Sequence, residues 1–70
     1  MVSRRQVIRT LRREAKRQGL EFEMIELTRH TAIQVGGVRK TLGRHREVDD
    51  VAARRFFEQF ASVLGKGWWR

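Results

Sequence analysis

The fold is decided by the stretch TAIQVGGVRKTL, residues 31–42. Two runs of five residues, each with apolar side chains at alternate positions, flank the pair Gly36-Gly37. A type I′ turn needs positive φ at both central positions, and glycine adopts positive φ without steric cost. The pair therefore predicts a two-residue β-hairpin that joins strands at 31–35 and 38–42.

The hairpin register sorts the side chains of both strands onto two faces. One row should face the core: Ile33, Val35, Val38 and Leu42. The other row should face solvent: His30, Gln34 and Arg39. Lys40 is the charged member of the core row, and its long side chain can reach water if its strand lies at an edge of the sheet.

Patterns on both sides of the hairpin predict two helices and one further strand. Ser3 and Gln6 form a capping box, and apolar residues at helical spacing follow as far as Gly19. Residues 21–27 alternate imperfectly, as a strand does, and an apolar stripe after Asp49 predicts a last helix that ends near Gly65. We therefore expect an α+β domain of order α-β-β-β-α over residues 1–67. Its three-stranded antiparallel sheet has both helices on one face, and residues 68–70 form a short aromatic tail.

Composition narrows the classes of function. The 70 residues include no cysteine and no long apolar run, which argues against disulfides, a thiolate zinc site and a membrane span. The two histidines have no carboxylate cluster beside them, so no metal site is expected. We expect a soluble cytoplasmic protein without a cofactor and without a membrane partner.

The net charge is +8, and most cations lie in two blocks, residues 1–19 and 28–46. Such blocks favour nucleic-acid phosphates, although a solvated basic surface is the alternative.

Several short motifs, in order, resemble the HicA family of toxin ribonucleases over residues 3–64. Residues 3–11 are similar to the family's Ser-Arg-x-Val-Ile-x-x-Leu pattern with one residue inserted. Thr28-Arg29-His30 lies where the family has Gly-Ser-His, and residues 41–45 resemble its strand ending in Val-Pro-x-His. Thr28 would be strained if that position required a positive φ, since it is β-branched. The resemblance implies a fold like that of double-stranded-RNA-binding domains and metal-independent cleavage of mRNA. It also implies that a HicB-like antitoxin protein is a possible partner.

The resemblance gives His30 the role of catalytic residue, and imidazole suits a general base because its pKa is near neutral. Cations around it can hold RNA phosphates. The candidates for RNA binding are Arg29, Arg39, Lys40, Arg44, His45 and Arg46. His45 is also a candidate acid, or alternatively a loop residue that hydrogen-bonds to the chain before the last helix. A non-catalytic module that binds double-stranded RNA or DNA is the main alternative function, and a basic surface that docks an acidic protein is another.

Two further features stay open at the level of sequence. The arginine-rich face of the first helix can contact a nucleic-acid backbone or an acidic protein, or it can simply be solvated. Trp68 and Trp69 can stack on bases or anchor a partner, or one of them can fold back onto the small core.

Overall fold

A computed structural model describes all residues, 1–70. In chain order the elements are β1 (Val2–Ser3), α1 (Arg4–Arg17), β2 (Phe22–Glu26), β3 (Thr31–Val35), β4 (Val38–Leu42), β5 (Glu47–Val48), α2 (Asp50–Glu58) and α3 (Ala61–Leu64). The predicted α+β class, with its three-stranded antiparallel sheet and flanking helices, is confirmed. The structure adds a small second sheet, in which β1 pairs with β5.

The hairpin has the predicted turn and register. Gly36 and Gly37 have φ of +53° and +92°, and Val35 lies opposite Val38. The strand order is β2-β3-β4, so β4 is an edge strand. Lys40 is exposed there, although it belongs to the core row. The edge position explains how a lysine is accommodated in that row.

Both helices pack against the same face of the sheet, as expected. The core joins residues from α1, the sheet and the C-terminal helices: Val7, Ile8, Leu11, Ala15, Ile33, Val35, Leu42, Ala53, Phe56, Phe60 and Leu64. Ala32 lies on the opposite face and is nevertheless buried. Its cross-strand neighbours there are Ile25 and Thr41, and larger side chains on each side cover a single methyl group.

The last helix is divided, which the apolar stripe did not predict. α2 ends at Glu58, and α3 begins at Ala61 after Phe60, whose φ and ψ are −103° and 10°. The Phe60 ring is completely buried and meets Phe56 edge to face at a centroid distance of 5.4 Å. The residue at the break is thus a core residue whose ring packs against the preceding helix.

Short contacts fix the two ends of α1. The capping box is present, with the Ser3 hydroxyl accepting from the Gln6 amide at 3.0 Å. Val2 pairs with Val48, so the start of α1 lies beside residues 46–48. At the other end, the Gln18 amide donates to the Leu64 carbonyl at 2.9 Å.

No helix is both long and apolar enough to cross a membrane.

The aromatic tail folds back onto the domain. Trp68 packs against the core, and its indole N–H donates to the Phe57 carbonyl at 2.8 Å. Trp69 meets Trp68 edge to face at 5.9 Å. Trp68 therefore covers the end of α2, which is the core-capping role considered for one of the two tryptophans.

Candidate nucleic-acid interface

His30 sits on the tight connection between β2 and β3. The connection is closed by one backbone hydrogen bond, from the Leu27 amide to the His30 carbonyl at 2.8 Å. The ladder between β3 and β4 ends at the pair Thr31–Leu42, so His30 lies just before the first paired residue of β3. The imidazole is exposed, and neither of its nitrogens has a hydrogen-bond partner within the protein. Both nitrogens are thus free to meet a ligand.

Arg44 braces this connection from the segment that follows β4. Its guanidinium donates to the Leu27 carbonyl and more weakly to the carbonyls of Thr28 and His30, at 3.4 and 3.5 Å. The three carbonyl oxygens thus share one donor group, the Arg44 guanidinium. Its planar shape and several N–H groups allow it to bind more than one acceptor at once. Arg44, proposed from sequence as a phosphate contact, thus also holds the backbone that carries His30.

The residues before His30 adopt ordinary backbone conformations. No residue other than glycine has a positive φ, so Thr28 and Arg29 are unstrained. The β-branched side chain of Thr28 is therefore compatible with this turn.

Glu26 lies behind the turn and connects it to α1. Its carboxylate is 2.9 Å from the Arg44 guanidinium and 3.6 Å from that of Arg4, and it accepts from the Thr31 hydroxyl at 3.0 Å. Arg4 also donates to the Thr31 oxygen. Thr31 is completely buried, whereas the Glu26 side chain is 54% exposed. Solvent weakens such ion pairs, so the network chiefly fixes geometry: it ties the start of α1, the end of β2 and the start of β3 together.

An open cavity of about 470 Å³ lies beside this network. We call it the arginine pocket; it is lined by Ser3, Arg4, Arg5, Arg44, Arg46 and Glu47. A second depression of about 320 Å³ adjoins it along α1 and shares Arg4 and Arg5 with it. The remaining residues of this depression are Ile8, Arg9, Arg12 and Met24. The two depressions share Arg4 and Arg5, and we call the basic surface that they form, from α1 to the segment after β4, the basic groove.

The structure groups only some of the residues proposed from sequence. Arg44 and Arg46 meet in the arginine pocket, and the Arg46 carbonyl accepts from the Arg4 amide at 2.8 Å. Arg29 is exposed on the His30 turn. Arg39 lies on the open face of the sheet, where its guanidinium donates to the Gln34 side chain at 3.1 Å.

Two other proposed residues lie apart from that pocket. Lys40 is on the core row of the edge strand. His45 lines a different cavity, between the segment after β4 and α2. Its ring lies near Gly43, forms no hydrogen bond, and so does not tie the loop to the chain before α2. The structure thus does not bring His30 and His45 to one cavity.

Sequence reasoning did not single out Arg4, Arg5 or Glu26 as site residues, although Arg4 and Arg5 belong to the first helix, whose arginine-rich face was left open as a nucleic-acid contact. Arg4 and Arg5 follow the cap residue Ser3, and only the pairing of β1 with β5 brings them to Arg44 and Arg46. Those strands are two residues long, too short for a periodic pattern. The three acids of residues 21–26 were a signal for Glu26, but its two arginine partners depend on the tertiary fold.

The clear pKa shifts lie away from this interface, at the end of α1. The Arg17 guanidinium hydrogen-bonds to Glu14, and with the Gln18 amide it lowers the pKa of Glu14 to about 2. The same contact raises the pKa of Arg17. No group of three or more histidine, cysteine or acidic side chains is close enough to hold a metal ion.

No protein-family model, curated protein or solved structure matches this chain. The resemblance to the HicA family consequently stays a prediction.

Proposed function

We propose that this protein is an endoribonuclease of the HicA toxin kind, which cleaves mRNA in the cytoplasm with His30 as general base and without a metal ion. The observation that supports the proposal best is the turn at residues 27–30. Arg44 holds the backbone of residues 27–30, while the His30 imidazole stays exposed with both nitrogens unpartnered. A base whose backbone is held in place and whose ring is open to solvent can meet a long flexible substrate.

The reaction is a transesterification within the RNA strand. The imidazole of His30 takes the proton of a ribose 2′-hydroxyl, and the 2′-oxygen attacks the adjacent phosphorus. The bond from phosphorus to the 5′-oxygen breaks, and this leaving oxygen takes a proton from solvent water. The products are a 2′,3′-cyclic phosphate and a 5′-hydroxyl, and the imidazolium returns its proton to solvent.

Charge develops on the phosphate oxygens as the bond forms, so a nearby cation accelerates the step. Arg29 precedes His30 on the same turn, is exposed and takes part in no ion pair. Arg29 is the cation we assign to this role. Arg44 shares its charge with Glu26, and its main contribution is to position the turn.

A non-catalytic RNA- or DNA-binding module is the second candidate, and one observation favours it. No carboxylate or carbonyl orients the His30 ring, whereas catalytic histidines are usually fixed by such a partner. The basic groove and the net charge of +8 serve binding equally well without chemistry. In either case an acidic face of a HicB-like antitoxin would be complementary to this surface.

An RNA-cleavage assay in EDTA distinguishes the endoribonuclease from the non-catalytic binding module. Purified protein is incubated with single-stranded RNA, alongside His30→Ala and the matched control His45→Ala. Cleavage that leaves 2′,3′-cyclic phosphate ends, is lost in His30→Ala and persists in His45→Ala supports the enzyme. RNA that stays intact but shifts on a gel supports the binding module. Equal cleavage by His30→Ala and the parent would refute the assignment of the base.

A further inference from the structure

We propose that the arginine pocket is a binding subsite for a phosphate group of an RNA strand, and that Arg5 and Arg46 supply its available charge. The inference rests on the proposed action on RNA and adds the place where the strand is anchored. The pocket was not apparent from sequence, because residues from the start of α1 and from the segment after β4 build it together.

The pocket has a net positive charge, which favours the binding of an anion. Four arginines line it, and two carboxylates, Glu47 in the lining and Glu26 behind it, oppose them. The excess of two positive charges exceeds the single negative charge of a phosphodiester. Glu26 contacts Arg4 and Arg44, whereas Arg5 and Arg46 take part in no ion pair. The charges left for a phosphate are therefore those of Arg5 and Arg46.

The donors in the pocket also suit phosphate oxygens. Arginine forks match two phosphate oxygens at once. The Ser3 hydroxyl oxygen accepts from the Gln6 amide at 3.0 Å, and its own hydrogen is used in no bond within the protein, so it can donate to a ligand.

The start of α1 is electrostatically unfavourable without an anion. Its first turn contains Arg4 and Arg5 and no acidic residue. Cations at this end of a helix oppose the helix dipole, so each is unfavourable there. A phosphate bound between Arg5 and Arg46 offsets that repulsion.

The groove beyond the pocket indicates a polymer with repeated charge rather than a single small anion. Arg5, Arg9 and Arg12 follow one another at helical spacing along it, so their side chains recur about every 5–6 Å. A strand that leaves the pocket along α1 meets one arginine per turn. Met24 lies between them, 43% exposed, and offers an apolar surface to a base.

Arg44 links the pocket to the turn that carries the proposed base. Arg44 lines the pocket and also donates to the carbonyls of the His30 turn. A phosphate in the pocket is consequently one side chain away from the turn that carries His30. The subsite anchors a phosphate that neighbours the scissile one, and affects affinity more than the chemical step.

Salt-dependent RNA binding tests the subsite in the full chain. The double variant Arg5→Ala/Arg46→Ala is made in a His30→Ala background that leaves the RNA intact. Its binding to a fluorescent 12-nucleotide RNA is measured by anisotropy at several salt concentrations. The matched control Arg13→Ala/Arg54→Ala removes two exposed arginines that lie outside the groove. Circular dichroism verifies that each variant is folded.

We expect the double variant to bind at least 10-fold more weakly than the control at low salt. The slope of log K against log salt should become shallower by about 0.7, the loss of one phosphate contact on a single strand. Lysine at both positions should restore part of the affinity. Equal affinities and slopes for the two double variants would overturn the subsite while leaving the proposed function in place. Failure of the His30→Ala parent to bind RNA would overturn both proposals.

Two further probes identify the ligand. The RNA is tested with a 5′-hydroxyl and with a 5′-phosphate, and an internal phosphodiester predicts the same loss of affinity for both. A loss confined to the 5′-phosphorylated RNA would assign the pocket to a terminal phosphate.

Polyglutamate serves as a model of an acidic protein. If the double variant lost affinity for polyglutamate but not for RNA, the pocket would be a protein-docking site and the proposal would be wrong.

Discussion

Replacing Arg44 with alanine removes the side chain that holds the 27–30 turn. The change deletes its hydrogen bonds to the Leu27, Thr28 and His30 carbonyls and its ion pair with Glu26. The backbone bond from the Leu27 amide to the His30 carbonyl then closes the turn alone. We expect the turn to open more often and His30 to lose its fixed position.

The magnitude follows from the quality of each contact. A hydrogen bond to a charged group contributes about 1.5–3 kcal/mol when well formed, and an exposed ion pair about 0–1 kcal/mol. The contacts to Thr28 and His30, at 3.4 and 3.5 Å, are weak, and Arg44 is 40% exposed. We therefore expect the free energy of unfolding to fall by about 1–2 kcal/mol. For a domain of this size, this corresponds to a decrease in Tm of about 4–16 °C.

Urea denaturation followed by tryptophan fluorescence measures the loss of stability, and amide hydrogen exchange at Leu27 reports the opening of the turn. Arg46→Ala is the matched control, because Arg46 lines the same pocket but donates nothing to the turn from its side chain. Arg44→Lys should recover only part of the stability, since an ammonium lacks the planar fork. If Arg44→Ala and Arg46→Ala had the same stability and the same exchange rate at Leu27, the bracing role would be refuted.

Three further changes test the fold. Phe60→Ala should destabilise by about 3–5 kcal/mol, a large share of the stability of so small a domain; calorimetry that showed a loss below 1 kcal/mol would contradict its central place in the core. Gly37→Ala should lower Tm because its φ is +92°, whereas Gly43→Ala, which has no positive φ and only ordinary contacts, should leave Tm nearly unchanged. Glu14→Gln should flatten the acid limb of the stability curve. The Arg17 contact lowers the pKa of Glu14 from 4.5 to about 2, so this contribution is present above pH 4.5 and is lost as pH falls towards 2. Equal acid limbs for the variant and the parent in urea titrations would argue against this contact.

The hairpin and the first helix were predictable because local chemistry determines them. Two adjacent glycines select the turn, and the turn sets the register that places Gln34 opposite Arg39. The capping box likewise marked the start of α1. In these elements the interacting groups are close in sequence, so a pattern of residue types is enough.

The site was only partly predictable. His30 and the arginines near it stood out by residue type, but the partners of Arg44 did not. Arg44 contacts Glu26 and the carbonyls of residues 27, 28 and 30, which lie 14 or more positions away. Arg44, which was predicted from sequence to bind phosphate, thus also holds the turn in place. His45 appeared beside Arg44 in sequence and lies in another cavity.

By itself, the sequence determined the fold class, the hairpin register and the excess of positive charge, because propensity, alternation and composition act through near neighbours. Only the tertiary structure decided where that charge collects. The pairing of Val2 with Val48 brings Arg4 and Arg5 to Arg46. This outcome depends on a contact between distant parts of the chain, and a pattern of neighbouring residues does not reveal such a contact.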